Sequence, residues 1–215
     1  MLMNTKAEAK VLNKPNRNSV DLLLKRAFDV TFSFFILSLI WPVMLLIAIG
    51  IKATSKGPII FKQKRCGLGG NTFYIYKFRS MKVHEENSGR VTQATKGDSR
   101  ITAIGGFIRK TSLDELPQFI NVLKGDMAVV GPRPHALEHD QYYSQYISNY
   151  MKRNTVKPGL TGWAQINGSR GETETIEKME CRINYDLWYV NNWTPFLDVK
   201  IVAITPFKIL SKNAY

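Results

Sequence analysis

The sequence predicts a mainly α-helical protein of the α+β class, with one small β-hairpin and an apolar segment that ties the chain to a membrane. Three observations carry this. An uncharged apolar run extends from Val30 to Ile51. Two β-rich runs, Pro58–Lys64 and Thr72–Phe78, flank the turn Gly67-Leu68-Gly69-Gly70, the pattern of a hairpin. Helical spacing follows, clearest over Thr175–Val190, where Ile176, Met179, Ile183, Leu187 and Val190 recur three and four apart. The chain divides into a polar arm (1–20), a membrane helix (21–56), a globular domain (57–192) and an apolar C-terminal segment (193–215).

The apolar run has about the 20 residues needed to cross a bilayer. Pro42 at its middle removes a backbone donor and forces a kink. Lys25 and Arg26 precede it and Lys52 and Lys56 follow, so the positive-inside rule gives a span no preferred direction. Two readings stand level on these grounds: a plain transmembrane helix with a tolerated proline, and a kinked helix that enters and leaves on one face. A buried soluble helix fits less well, because Phe32, Phe34, Phe35, Leu37, Leu39, Ile40 and Trp41 point all round. The run starts too late, and lacks the small-residue site, for a cleaved signal peptide.

The 30 Lys+Arg against 17 Asp+Glu give a formal charge of +13, which calls for an anionic partner: nucleic acid, acidic lipid or a phosphorylated small molecule. No nucleic-acid-binding module is recognisable, and that reading leaves the apolar run unexplained. Two cysteines, Cys66 and Cys181, are too few for a disulfide framework. The histidines His84, His135 and His139 lack the partners of a metal box.

The chemistry concentrates in Thr111-Ser112-Leu113-Asp114-Glu115-Leu116-Pro117-Gln118, after a helix over Ile101–Lys110. With Ser112 as N-cap, Glu115 completes a capping box but Pro117 falls beyond the first turn; with Asp114 as N-cap, Pro117 falls within it. Gly125 stops the helix after Lys124. Either register puts both carboxylates at a helix N-terminus, which predicts a lowered pKa. Adjacent residues diverge by about 100°, so the pair cannot straddle a glycosidic bond but can converge on one phosphate or cation. The competing reading is that Asp114 merely caps the helix. Lys77 and Arg79 end the second strand run, and Arg109 lies five residues before Asp114. Arg133 is stiffened by Gly131-Pro132 and Pro134, as suits a preset anion contact. Asp186, at the edge of the apolar stripe of Thr175–Val190, needs a cationic partner or a site role. Trp193–Tyr215 reads as an interfacial helix interrupted at Pro206, and Glu85–Asp98 as a loop.

From Lys25 onward the sequence resembles the bacterial sugar transferases, the monotopic phosphoglycosyl transferases. Lys25-Arg26-Ala27-Phe28-Asp29, Tyr76-Lys77-Phe78-Arg79, Ser112–Gln118, Gly131-Pro132-Arg133-Pro134 and Pro158-Gly159-Leu160-Thr161-Gly162-Trp163-Ala164-Gln165 carry the resemblance. It implies a re-entrant helix hairpin, interfacial helices and a catalytic domain on the cytoplasmic face of the bacterial inner membrane. It also implies a two-step, Mg²⁺-dependent reaction. Asp114 would attack the β-phosphorus of a UDP-sugar, expel UMP and touch the metal, and a polyprenyl phosphate would displace the phosphosugar. Glu115 would serve as acid/base or organise the site. Lys77 and Asp186 would be required, and Arg109, Arg133, Gln118 and Arg79 would serve substrate binding. Asn167–Thr175, with Pro134-His135-Ala136, is most similar to the branch that transfers glucose-1-phosphate to undecaprenyl phosphate for exopolysaccharide synthesis, and galactose enzymes share much of it. Many members of that branch carry further N-terminal membrane helices; here a polar arm is expected instead, as a minimal form. Membrane lipid, and a homodimer partner, complete the expected associations.

Overall fold

The computed structural model describes residues 18–82 and 98–210. Most of the predicted arm (1–20), most of the Glu85–Asp98 loop and the last five residues fall outside them.

The order of elements begins with helix α1 (Ser19–Thr54), followed by strands β1 (Ile60–Cys66) and β2 (Thr72–Phe78). Then come α2 (Ala103–Lys110), α3 (Gln118–Lys124), β3 (Ala128–Val130), α4 (Leu137–Tyr143), β4 (Gly159–Thr161), α5 (Trp163–Ile166), α6 (Ile176–Asn192) and α7 (Pro195–Leu210). The protein is mostly helical, with a small antiparallel β1–β2 sheet as predicted. Gly69 and Gly70 hold φ +64° and +85° in the hairpin turn, which is why that turn is glycine-rich.

Helix α1 begins where the Asn18 side chain accepts the Val20 amide at 3.3 Å. It contains Pro42 and is long and apolar enough to cross a membrane. Its central side chains Phe34, Phe35, Leu39, Trp41, Leu46 and Ile49 are exposed. Its two ends are not. Near the start, Lys25 Nζ binds Asp198 at 2.7 Å and the Val130 carbonyl at 3.0 Å, and Asp29 accepts the Val129 amide at 2.9 Å. Arg26 donates to the carbonyls of Val122 and Leu123, satisfying the C-terminal end of α3. Near the other end, Ile47 and Ile51 join Phe78 and Ile108 in an apolar cluster that Leu113 and Leu116 also pack against. Residues near both ends of α1 therefore pack on the globular domain, those near its C-terminal end against the residues that flank Asp114 and Glu115.

A second cluster links Ile75, Val122, Met127, Val129, Tyr189, Leu197 and Ile201, knitting β2, α3, β3, α6 and α7 together. The side chain of Asn121 completes the free edge of β2, accepting from the Tyr76 amide at 2.9 Å and donating to the Tyr74 carbonyl at 2.7 Å. A short parallel pair, β3 with β4, was not foreseen. It depends on backbone closeness: a Cβ on Gly131 would stand 2.5 Å from the Lys157 carbonyl oxygen, and one on Gly159 2.0 Å from the Gly131 nitrogen. Only glycine fits at either position, and the pair fixes where Pro132-Arg133-Pro134 leaves β3.

Helix α6 matches its expectation closely, with Thr175 capping it. Pro206 does not interrupt α7, which runs through it to Leu210. The Thr205 hydroxyl donates to Ile201 O at 2.7 Å, binding a carbonyl beside the one that Pro206 leaves without a donor.

Candidate active site

Neither cap register predicted for Ser112–Gln118 forms. Ser112 takes the left-handed conformation (φ 58°), Leu113–Glu115 make a separate 3₁₀ turn, and Pro117 immediately precedes α3. A non-glycine residue at positive φ is costly and needs outside support. Part of that support is Arg170, whose guanidinium donates to Ser112 Oγ at 2.5 Å. The helix end is as expected, with Gly125 at φ +91° after Lys124.

The 3₁₀ turn sets Asp114 and Glu115 in the wall of a cavity of about 780 Å³. The two carboxylates have opposite surroundings. Glu115 accepts from Lys77 Nζ at 2.8 Å and from Arg133 through both oxygens, one of them at 3.1 Å. These cations hold its pKa well below the usual carboxylate range despite burial. Asp114 is buried and, among the described residues, makes no side-chain hydrogen bond or ion pair. Its pKa is raised to about 6, first by burial and then by the Glu115 charge, against the pull of Lys77, Arg109 and Arg133. The helix-end argument predicted the reverse. A turn of three residues carries little dipole, and desolvation outweighs it. Asp114 is still largely ionised above neutral pH.

Arg109 lines the same cavity, its guanidinium 3.9 Å from Met81 Sδ. Three other predicted residues are placed differently. Arg79 borders the cavity, but its guanidinium binds the Ser55 and Lys56 carbonyls at 2.8 Å, closing the C-terminal end of α1. Gln118 is fully buried, its amide without a partner among the described residues, and it does not line the cavity. Asp186 does not line it either. It is 2% exposed and pairs with the buried Arg153 at 2.9 Å, the cationic partner its position demanded.

Arg153 then reaches back to the site. It donates to the Arg133 carbonyl and lies 2.6 Å from His135 Nδ1. Tyr150 also meets that nitrogen at 2.6 Å and donates to Asp140 at 2.8 Å. Burial and the surrounding guanidiniums push the His135 pKa well down, so the ring is neutral. Asp186 is thus connected to the cavity wall at one remove, through Arg153 and the backbone of Arg133.

Sequence reasoning also missed Arg65, Arg170 and Arg182, all in the cavity wall. Each comes from a different segment, and no local spacing links them. A surplus of positive charge was legible in composition; its focus in one cavity was not.

A magnesium ion fits the donor set only in part. Among the described residues no group of three or more His, Cys, Asp or Glu could hold a metal. A Mg²⁺ ion commonly uses one or two carboxylates and fills its shell with substrate phosphate and water, and the uncommitted Asp114 suits that.

The bacterial sugar transferase family matches over residues 20–212. The chain is 55% identical over 199 residues to the UDP-glucose:undecaprenyl-phosphate glucose-1-phosphate transferase of Escherichia coli (strain K12), covering 92% of this chain and 43% of that protein. A protein of the same name from Caulobacter vibrioides is 48% identical over 93% of this chain and 74% of its own length. The Exopolysaccharide production protein PSS of Rhizobium leguminosarum bv. phaseoli is 43% identical over 90% of this chain and 98% of its own length. The chain spans less than half the length of the Escherichia coli relative. With the match extending over nearly all of its length, the chain belongs to the bacterial sugar transferase family.

Proposed function

We propose that the protein transfers glucose-1-phosphate from UDP-glucose to undecaprenyl phosphate, giving undecaprenyl-diphosphate-glucose and UMP. The carrying observation is the contrast at the 3₁₀ turn: Glu115 is tied to Lys77 and Arg133, while Asp114 is buried beside the same cations and uncommitted. The relatives at 48 to 55% identity that bear the glucose-1-phosphate transferase name support the sugar and the acceptor.

In the first step a carboxylate oxygen of Asp114 bonds to the β-phosphorus. The bond from that phosphorus to the bridging oxygen breaks, and the oxygen leaves on UMP with the electron pair. In the second step a phosphate oxygen of undecaprenyl phosphate attacks the same phosphorus, and the Asp114 carboxylate departs. Both nucleophiles are anions, so neither step needs a proton removed. Glu115, held far below neutral pKa, therefore serves to fix Lys77 and Arg133 rather than to donate protons. Lys77, Arg109 and Arg133 neutralise the phosphates, and positioning with charge neutralisation is most of what phosphoryl transfer requires. Mg²⁺ bound by Asp114 and substrate phosphate would supply further neutralisation.

The reading includes a re-entrant α1 at the bacterial inner membrane, with the domain on the cytoplasmic face. Its support is that residues near both ends of α1 pack on one globular domain, whereas a span would put roughly 30 Å of hydrocarbon between them. The exposed apolar centre of α1, and exposed Phe196 and Phe207 on α7, suit insertion from one side. Single cysteines before and after the apolar run, labelled from outside the cell, test it: labelling of one end alone contradicts the hairpin.

The function is tested by UMP release from UDP-glucose with magnesium and undecaprenyl phosphate, against UDP-galactose and UDP-N-acetylhexosamines. Release with UDP-glucose, lost in Asp114→Ala, is expected. Full activity in Asp114→Ala would overturn the mechanism, and preference for another sugar would overturn the donor.

A further inference from the structure

Arg65, Arg133 and Arg182 all line the cavity and come from β1, the loop after β3, and α6. Arg65 donates to the Pro134 carbonyl at 3.3 Å and to Gln63 Oε1 at 2.5 Å. Arg182, 7% exposed, donates to the Gly171 carbonyl at 2.9 Å. The Nε of each is buried and has no partner among the described residues. Neither forms a carboxylate ion pair within 4 Å among the described residues, whereas Arg133 is committed to Glu115 and Arg153 to Asp186.

The charge balance follows the same geometry. Burial and the neighbouring Arg133 lower the pKa of Arg65 and of Arg182 to about 10 each, unusual for guanidinium. The cations that bear most on Asp114 are instead Lys77, Arg109 and Arg133. Arg133 is common to both sets. Arg65 and Arg182 thus line the same cavity as the cations that bear on the nucleophile, and the charge of Arg133 acts on both. A half-buried and a buried guanidinium that form no close carboxylate ion pair among the described residues are costly in the unliganded protein, and an anion bound at the cavity wall relieves that cost.

We infer that Arg65 and Arg182 form a second phosphate subsite, which holds the departing phosphate of the nucleotide and then the attacking phosphate of the acceptor. This rests on the proposed function. When the phosphorus–oxygen bond breaks, the electron pair stays on the bridging oxygen, and the new negative charge develops on the phosphate farther from Asp114. In-line displacement gives the second step the same axis. The acceptor phosphate approaches from where UMP departed, and one pair of arginines serves both half-reactions. Arg65 and Arg182 thereby become substrate-contacting residues beyond those the motifs identified.

The test uses the full chain in lipid nanodiscs, with calorimetric titration by UMP, uridine and inorganic pyrophosphate, together with steady-state kinetics. Arg182→Gln keeps a donor for the Gly171 carbonyl and removes the charge; Arg65→Gln is its counterpart, and Arg182→Lys restores a charge. A charge-assisted contact supports an expected loss of about tenfold or more in UMP affinity for each Gln variant, with uridine binding unchanged and partial recovery in Arg182→Lys. The KM for undecaprenyl phosphate should rise with the UMP dissociation constant. Unchanged UMP affinity in both Gln variants overturns the subsite, and so does an equal loss of uridine binding, which would mean a structural role. A wild-type protein that binds pyrophosphate in an Arg182-dependent way, but neither binds UMP nor turns over a UDP-sugar, would support the anion site and refute the proposed function. Binding of none of the three probes by the wild type refutes both.

Discussion

Two buried polar regions of this protein use the same residue types to opposite ends. At the junction of α1, α6 and α7, Lys25 meets Asp198, whose other oxygen accepts from Tyr189 at 2.7 Å, while Trp193 donates to Asp198 at 3.1 Å. Asp29 has a backbone donor there, and Arg26 two carbonyls. Acids and bases balance, and each makes close contacts. In the cavity, among the described residues, guanidiniums outnumber carboxylates, Arg65 and Arg182 each keep a nitrogen without a partner, and Asp114 is buried with its pKa raised to about 6. A saturated network fixes one arrangement of helices. An unsaturated one is poised for a ligand that supplies the missing charge, and its cost in stability is the cost of that readiness.

Substitutions should separate the two regions. The largest effect on turnover is expected from Asp114→Ala, a loss of about 10³-fold or more in UMP release, with the melting temperature unchanged or raised because a buried carboxylate is removed. Lys25→Ala should do the reverse. Removing one partner of a buried pair costs about 3–5 kcal/mol, read as a lowered unfolding midpoint in detergent, with the kcat/KM of the remaining folded protein changed by less than about threefold. Asp186→Asn lies between them. It leaves Arg153 without its counter-ion and loosens Arg133, so kcat/KM should fall by about 10- to 100-fold with little loss of uridine affinity. Unchanged turnover there would sever the proposed link from Asp186 through Arg153 to Arg133.

The smallest effect is a shift in pH dependence. Asp114 attacks as the anion, so the rate should rise with pH through an acid limb near 6, the raised value. Glu115→Gln removes the like charge that holds this pKa up and frees Lys77 and Arg133 to act on Asp114, so the surviving activity should show its limb at lower pH. A limb that moves upward would mean that Glu115 does not set the Asp114 pKa.

Local signals made much of this legible. The hairpin was read from Gly67–Gly70, the end of α3 from Gly125, and α6 from its apolar stripe. What local signals missed was decided by distant contacts. Ser112 adopts a left-handed conformation instead of capping a helix, and Arg170, 58 residues away, bonds to it there. The β3–β4 pair is three residues long on each side and rests on glycines whose neighbours lie elsewhere in the chain. The direction of the Asp114 pKa depends on burial, which no spacing reveals. Arg79 was expected to serve substrate binding; it borders the cavity, and its guanidinium also closes the end of α1, a contact that a strand-end arginine does not announce. Asp186 needed a cation, but Arg153 lies 33 positions earlier in a 3₁₀ segment without a periodic signal.

The central claim is that Asp114 becomes bonded to phosphorus. The direct measurement incubates the protein with UDP-glucose carrying ³²P in the β-phosphate, magnesium and no acceptor, and follows label on the intact chain beside UMP in solution. Label retained on the protein in equal amount to UMP released, discharged by hydroxylamine or undecaprenyl phosphate and absent in Asp114→Ala, is the predicted result. Lipid product formed with no labelled protein in either condition, or label that persists in Asp114→Ala, would contradict it.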